Sequence, residues 1–205
     1  LNGKGKPRNM TNGFGRANSL VFETFDFDPD VKSLNRKEPI ILSAFNKKTK
    51  ENGLYTTTIS GNKNPEKVIM EDVWGYRSLM KAKNSPTYIF TRESNVESPN
   101  IIATSDFKTI HKLSSTNPQQ KDYVWNTNEL VQWTTPKGYT SEGILYKPEN
   151  FDANKKYPMI VYFYEKLSDG LNRYIAPSPT PSRLNIPYFV SNGYLVFAPD
   201  ISYED

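Results

Sequence analysis

The sequence contains no cysteine and a single histidine, His111, among its 205 residues. Without cysteine the chain cannot form disulfide bonds, thiolate metal sites or a cysteine nucleophile, although the cellular compartment stays open. It also has no run of about 20 apolar residues of the kind that crosses a membrane as a helix. We therefore expect no membrane span, no metal ion and no other cofactor.

Clustered positive charge is scarce as well. The 26 Lys and Arg residues are interspersed with 22 Asp and Glu residues, and the net charge is only +4. Short basic pairs such as residues 47–48 and 155–156 are smaller than the patches that contact nucleic acid. We expect no nucleic-acid partner.

Both ends of the chain are read as internal to a longer protein. The sequence starts Leu1-Asn2-Gly3 without a methionine, and its last 14 residues, NGYLVFAPDISYED, run from a strand pattern into a loop. We expect this chain to be a fragment.

The residues that are abundant favour β structure. The chain has 13 Tyr, 11 Phe and 3 Trp, which are enriched in strands, and 15 Pro and 11 Gly, which supply turns. Residues 1–35 give weak signals. From Pro39 onward, strand patterns lie at 40–45, 53–59 and 68–70, and again at 88–91, 100–105 and 110–113, with 77–82 fitting a further strand between the copies.

This pattern is an internal repeat. The offset is 48 positions from Ile41 to Ile89 and 46 positions from Tyr55 to Ile101. Four-stranded antiparallel units with a period of about 45 residues are typical of β-propeller blades. We predict such units over residues 36–120, with further blades outside the chain because a blade cannot bury both faces alone. A plain meander or sandwich is the alternative.

After residue 120 the pattern changes toward an α/β domain. Two strand candidates, 129–134 and 141–147, precede Met159–Tyr164, a run without alternation that predicts a strand buried on both faces. Residues 183–191 have helical spacing, Asn192-Gly193 supplies a C-cap, and 194–198 is the next strand. Strand, helical crossover and strand begin an α/β unit.

Three segments in this order, 129–133, 143–151 and 156–164, resemble the prolyl oligopeptidase family of serine peptidases, which includes the dipeptidyl-peptidase IV and acylaminoacyl-peptidase types. The resemblance covers roughly residues 75–205, and residues 1–75 more loosely. It implies a mainly β chain with an α/β start. Residues 1–135 would be the C-terminal blades of a β-propeller, and residues 136–205 the junction and N-terminal part of an α/β-hydrolase domain.

The catalytic triad that the resemblance implies is not in this sequence. The G-x-S-x-G nucleophile elbow of α/β-hydrolases is absent, and the family places it, followed by the acid and the histidine, past Asp205. His111 alternates with Ile110 and Leu113 in the second repeat, so we read it as a polar-face strand residue. We expect this fragment alone to be inactive.

Tyr164 is the one candidate site residue. The resemblance implies that a Tyr at the end of the first core strand of the hydrolase domain donates its hydroxyl to the oxyanion hole, and a phenol on a rigid strand end suits that task. The family follows this Tyr with a small Gly-containing turn, whereas Glu165-Lys166-Leu167 follows here. The alternative is that Tyr164 is a strand-end aromatic.

Several other residues are predicted to have structural and not catalytic roles. Asp200 is predicted to stabilise the turn that follows it, four acidic residues are predicted to be solvated, and three tryptophans are predicted to anchor the core. The acidic residues are Glu51, Glu66, Glu71 and Asp72, and the tryptophans are Trp74, Trp125 and Trp133.

Three functions remain open from the sequence. The first is a parent serine exo- or oligopeptidase that cleaves short peptides, for which the resemblance favours a periplasmic or secreted location. The second is a catalytically inactive relative that acts as a binding or scaffold protein. The third is a propeller-type interaction module, against which the buried runs at 159–164 and 194–198 argue. A homo-oligomer is also left open.

Overall fold

A computed structural model describes residues 6, 8–28, 30–31, 33–60, 63–179 and 182–201. The chain divides into two compact units: Leu1–Arg92 with Asn100–Ser114, and Glu93–Pro99 with Ser115–Asp205. Both are mainly β. The boundary that the resemblance implies, between residues 135 and 136, lies inside the second unit, and that domain assignment stays a prediction.

The first sheet of the first unit has four antiparallel strands in sequence order. After the short helix α1 (Phe14–Ala17) come β1 (Leu20–Thr24), β2 (Pro39–Asn46), β3 (Asn52–Thr58) and β4 (Glu66–Glu71). β1 pairs along β2, with Leu20 opposite Asn46. The first sheet therefore begins at Leu20, in residues whose sequence signals are weak, and not after residue 36.

The second sheet repeats this order with shorter outer strands. It consists of β5 (Met80–Lys81), β6 (Tyr88–Arg92), β7 (Asn100–Thr104) and β8 (His111–Lys112), all antiparallel. Of the predicted strand at 77–82, the first two residues lie in a 3₁₀ turn, Tyr76–Ser78, and only Met80–Lys81 forms a strand, β5. The prediction of antiparallel units across 36–120 is confirmed, and the two open sheets are consistent with a partial β-propeller.

Two apolar clusters form the core of this unit, and the larger one surrounds Leu54, which is fully buried. Because successive side chains of a strand point to opposite faces, one face of β3, of β6 and of β7 reaches this cluster. The buried members of the cluster are Leu54, Val73, Tyr76, Leu79, Phe90 and Ile102.

The second unit contains a mixed sheet in the order β11-β12-β10-β9. Its strands are β9 (Asn126–Thr134), β10 (Thr140–Pro148), β11 (Met159–Val161) and β12 (Leu195–Pro199). β9, β10 and β12 pair antiparallel, whereas β11 and β12 pair parallel, with Met159 opposite Leu195. A parallel pair needs a long crossover, and here the crossover contains the helix α2 (Ile186–Ser191).

Helix α2 is shorter than predicted, but its C-terminus is as predicted. Gly193 has φ +81°, its N–H donates to the Val190 carbonyl at 3.0 Å, and the Tyr194 N–H donates to the Phe189 carbonyl at 3.1 Å. This pair of bonds is a Schellman motif, which favours glycine at the left-handed position. The helix begins later than residue 183, at Ile186, where the Asn185 side chain accepts the Tyr188 N–H.

The prediction that residues 159–164 form a strand buried on both faces is wrong. The strand ends at Val161, and the run alternates. Met159, Val161 and Phe163 are 50%, 55% and 62% exposed, whereas Ile160 and Tyr162 pack on the apolar cluster that includes α2. β11 lies at the edge of the sheet, and in the described residues its packing partner, α2, lies on one face only.

Residues 93–99 belong to the second unit because its side chains bind their backbone. The Trp125 indole N–H donates to the Asn95 carbonyl at 2.9 Å, and the Gln120 amide donates to the Val96 carbonyl at 2.8 Å. Trp125 is also buried and stacks on Tyr174, with ring centroids 5.2 Å apart. The prediction that Trp125 anchors the core is confirmed.

We expect Trp125→Phe to lower the free energy of unfolding by about 1–3 kcal/mol, because the substitution leaves the Asn95 carbonyl without its donor and removes part of a buried ring. Urea unfolding followed by circular dichroism measures this change. Trp133→Phe is the matched control, since Trp133 is only half-buried beside Phe197. Equal effects of the two substitutions would contradict the anchoring role.

Candidate functional site

The candidate site lies where the parallel strands β11 and β12 end. In open α/β sheets, ligands bind at the carboxyl ends of the strands. The Tyr162 N–H adds one more bond to β12, donating to the Phe197 carbonyl at 2.9 Å. Tyr164 lies two residues further on and is 68% exposed, so its phenol is accessible to a ligand at this edge.

The backbone turns sharply directly after Tyr164. Glu165 has φ +44°, in the left-handed region that residues with a Cβ rarely adopt. The Glu165 carbonyl accepts the Ile201 N–H at 2.8 Å, which joins the segment after β11 to the segment after β12. The turn is therefore sharp without a glycine at this position.

Asp200, the first residue after β12, binds this turn through its carboxylate. Its Oδ1 accepts the N–H groups of Leu167 and Ser168, both at 2.8 Å, and its Oδ2 accepts the Ser168 hydroxyl at 2.6 Å. The prediction of a structural role for Asp200 is therefore confirmed. Within the described residues, the turn that it binds is the one after β11; the predicted turn that follows it in sequence lies outside the described residues.

Glu142 of β10 joins the same cluster. The Ser168 hydroxyl lies 3.0 Å from Glu142 Oε1, and the Lys166 ammonium lies 3.9 Å from that oxygen and 3.3 Å from Asp169 Oδ1. Sequence reasoning missed Ser168 and Glu142, because the contacts join residues 26 and 32 positions apart and no local spacing signals them.

Ser168 itself does not have the surroundings of a nucleophile. It is fully buried, and its hydroxyl is bonded to carboxylates and not to an imidazole, which is the usual base for an attacking serine. His111, the only histidine, lies exposed in β8 of the first unit, as predicted. The described residues also contain no group of three or more His, Cys, Asp or Glu that could hold a metal ion.

The prediction of four solvated acidic residues is wrong for Glu71. Its Oε2 accepts the Tyr76 hydroxyl at 3.0 Å and lies 3.1 Å from the Arg92 guanidinium, and both charged side chains are 29% exposed. Burial, together with the charge of Glu71, raises the pKa of Tyr76 well above its usual range. Glu66 and Asp72 are exposed, as predicted.

Trp74 and Trp133 differ from the prediction that they anchor the core. Both are only half-buried. The Arg77 guanidinium lies 5.5 Å from the Trp74 ring centre, and Trp133 contacts Phe197 edge-on. Their rings cover surface next to the core and are not among the buried core residues.

The second unit also contains an uncharged cleft of about 520 Å³ next to Trp125 and Tyr174. Polar contacts there come from amides and a phenol: the Tyr174 hydroxyl donates to Gln120 Oε1 at 2.9 Å. Beneath it, Glu93 accepts the Tyr174 N–H at 3.2 Å. Burial raises the pKa of Glu93, and this effect exceeds the lowering by that N–H and by Arg173.

The raised pKa of Glu93 predicts the direction in which its contribution to stability changes with pH. Because the folded pKa of Glu93 is raised, its contribution to stability is fully present below the unfolded pKa, about 4.5, and is lost as pH rises through the folded value. We expect Glu93→Gln, which cannot ionise, to raise stability relative to the parent chain more at neutral pH than below pH 4.5. Denaturant unfolding across this range measures the difference, and a difference independent of pH would contradict it.

No described helix is long and apolar enough to cross a membrane. No protein-family model matches the chain, and no curated protein matches it either.

Solved structures, in contrast, share its fold. AtxE2 isopeptidase aligns with 80% of this chain and 24% of its own, with a TM-score of 0.56 and 14% identity. Dipeptidyl peptidase 4 from Porphyromonas gingivalis aligns with 87% of this chain and 24% of its own, at a TM-score of 0.55 and 16% identity. An acylaminoacyl peptidase from Pyrococcus horikoshii aligns with 81% of this chain and 24% of its own, with a TM-score of 0.53 and 13% identity.

These structural neighbours are prolyl oligopeptidase-family peptidases. This chain shares the fold of the part of each neighbour with which it aligns. It spans about a quarter of the length of each of them. The resemblance drawn from the sequence is thus supported at the level of the fold.

Proposed function

We propose that this chain is part of a serine exo- or oligopeptidase of the prolyl oligopeptidase family that hydrolyses short peptides. Residues 1–135 would supply the last blades of a propeller, and residues 136–205 the junction and the first strands of an α/β-hydrolase domain. The Ser-Asp-His triad would follow residue 205. The main support is the fold shared with peptidases over most of this chain.

The second unit supports the hydrolase part of the proposal by its strand order. An antiparallel hairpin, β9 and β10, leads to a parallel pair, β11 and β12, that is joined through a helix. An isolated propeller-type module has no use for such a pair, because propeller blades are antiparallel. The edge position of β11 and its exposed apolar face fit a sheet that further elements continue.

A catalytically inactive relative is the second candidate, and a specific observation favours it. The turn after Tyr164 carries Glu165-Lys166-Leu167 where the family has a glycine-containing turn. Loss of the usual turn is compatible with a protein that has kept the fold for binding and lost the chemistry.

Labelling with a fluorophosphonate probe, combined with peptide hydrolysis, separates these candidates. We expect the full-length protein to be labelled at one serine outside residues 1–205 and to hydrolyse short peptides, and we expect the 1–205 fragment to remain unlabelled. A full-length protein that shows neither labelling nor hydrolysis would be the inactive relative. Labelling of the fragment that disappears on substitution of one of its own serines would contradict the proposal.

A further inference from the structure

Tyr164 lacks the packing that usually fixes a side chain. Its ring is 68% exposed, and exposed side chains change rotamer readily. The backbone on either side therefore sets the region that its hydroxyl can reach. Before Tyr164, the Tyr162 N–H is bonded to the Phe197 carbonyl. After it, the chain enters the turn at Glu165.

The turn after Tyr164 needs support from outside itself. The positive φ of Glu165 is unfavourable for a residue that has a Cβ. Asp200 provides the support with three bonds to two consecutive residues, Leu167 and Ser168. Hydrogen bonds to a charged acceptor are stronger than neutral ones, so a carboxylate at this place stabilises the turn effectively. We call these three bonds of Asp200 the clamp.

Ser168 extends this clamp to a second strand. Its hydroxyl lies 2.6 Å from Asp200 Oδ2 and 3.0 Å from Glu142 Oε1, so it connects the turn to the end of β12 and to β10. The hydroxyl is fully buried. A substrate could not reach it, and its role here is to stabilise the turn.

We propose that Asp200 and Ser168 are positioning residues for Tyr164: they hold the turn 165–168 in the conformation that keeps Tyr164 at the carboxyl ends of β11 and β12. This inference rests on the proposed peptidase function and on the oxyanion-hole donor role that the family resemblance implies for Tyr164. It assigns no chemical step to either residue, and both act through the backbone of the turn.

Four variants of the full-length protein test the proposal. Asp200→Ala removes the clamp, whereas Asp200→Asn keeps an oxygen that can accept both backbone N–H groups. Ser168→Ala removes only the buried hydroxyl, and it decides the question if Asp200→Ala does not fold. Asp106→Ala is the matched control, because Asp106 in the first unit likewise accepts two backbone N–H groups, from Lys108 and Thr109, at 2.9 and 2.8 Å.

Two readouts do not depend on catalysis. The first is the ¹⁹F resonance of fluorotyrosine at position 164, assigned by its loss in Tyr164→Phe. The second is the rate of tryptic cleavage after Lys166. We expect Asp200→Ala to shift the resonance and to raise the cleavage rate by about tenfold or more, because opening of the turn exposes that bond. Asp200→Asn should remain close to the parent protein in both readouts. Ser168→Ala should give smaller changes than Asp200→Ala, and Asp106→Ala should give none.

The third readout is kinetic. We expect Asp200→Ala to lower kcat by on the order of 10- to 100-fold, the effect of a small misplacement of a catalytic group, with little change in KM. Unchanged resonance and cleavage in both Asp200→Ala and Ser168→Ala would overturn the proposal. Equal effects of Asp200→Asn and Asp200→Ala would also overturn it, since the oxygen that accepts the two backbone N–H groups would then make no contribution. A shifted resonance with unaltered kcat would support the positioning and overturn the donor role of Tyr164.

Discussion

Tyr164→Phe in the full-length protein is expected to lower kcat by about 10- to 1000-fold with little change in KM, since we propose Tyr164 as an oxyanion-hole donor and loss of one such donor costs roughly 2–4 kcal/mol in the transition state. Phenylalanine keeps the ring and removes only the hydroxyl. The sheet should be unaffected, because β11 ends at Val161 and the Tyr164 side chain is mostly exposed.

Tyr188→Phe is the matched control for this experiment. Tyr188 is 56% exposed and lies in the same unit, on α2, but it is not at the carboxyl ends of the parallel strands. We expect its loss of hydroxyl to leave kcat within about twofold of the parent protein. If Tyr164→Phe retains full kcat on a short peptide, backbone amides alone hold the oxyanion and Tyr164 is a surface aromatic.

Gly75→Ala is expected to give the largest loss of stability, about 3–5 kcal/mol in the free energy of unfolding, because backbone strain and steric overlap add. Gly75 has φ +134°, a conformation that residues with a Cβ rarely adopt, and a Cβ at this position would overlap the Thr91 carbonyl oxygen. Thr91 belongs to β6, a central strand of the second sheet. Relief of the overlap would therefore displace a strand that carries the buried Phe90.

A second glycine, Gly13, separates the cost of backbone strain from the cost of steric overlap. Gly13 also has a positive φ, +76°, but a Cβ there would meet no atom within 4 Å. We expect Gly13→Ala to cost only about 1–2 kcal/mol, the cost of a left-handed conformation alone. Urea unfolding measures both variants. Similar losses for the two would show that the close approach of Gly75 to Thr91 is not the dominant effect.

Local patterns predicted most strands correctly because the side chains that favour a strand lie within the strand itself. Residues 40–45 and 100–105 carry the β-branched and apolar side chains that suit a pleated, half-buried surface, and both segments form strands. The Gly193 cap was predictable for the same reason, since a Schellman motif involves only residues close in sequence. β1 was missed because its short segment gains its bonds from β2, which begins 15 residues after β1 ends, at Pro39.

The sequence by itself determined the antiparallel β repeat and the helix followed by a strand before Asp200, but it placed Tyr164 at the end of a strand that in the structure already ends at Val161. Only the tertiary structure decided that β11 is an edge strand with one exposed face, and that Asp200 and Glu142 meet at Ser168. A run such as 159–164 has the same composition whether one face or two are covered, because coverage depends on the neighbours that the strand finds. The clamp follows from the parallel pairing of β11 with β12, which brings two strand ends together that lie far apart in the chain.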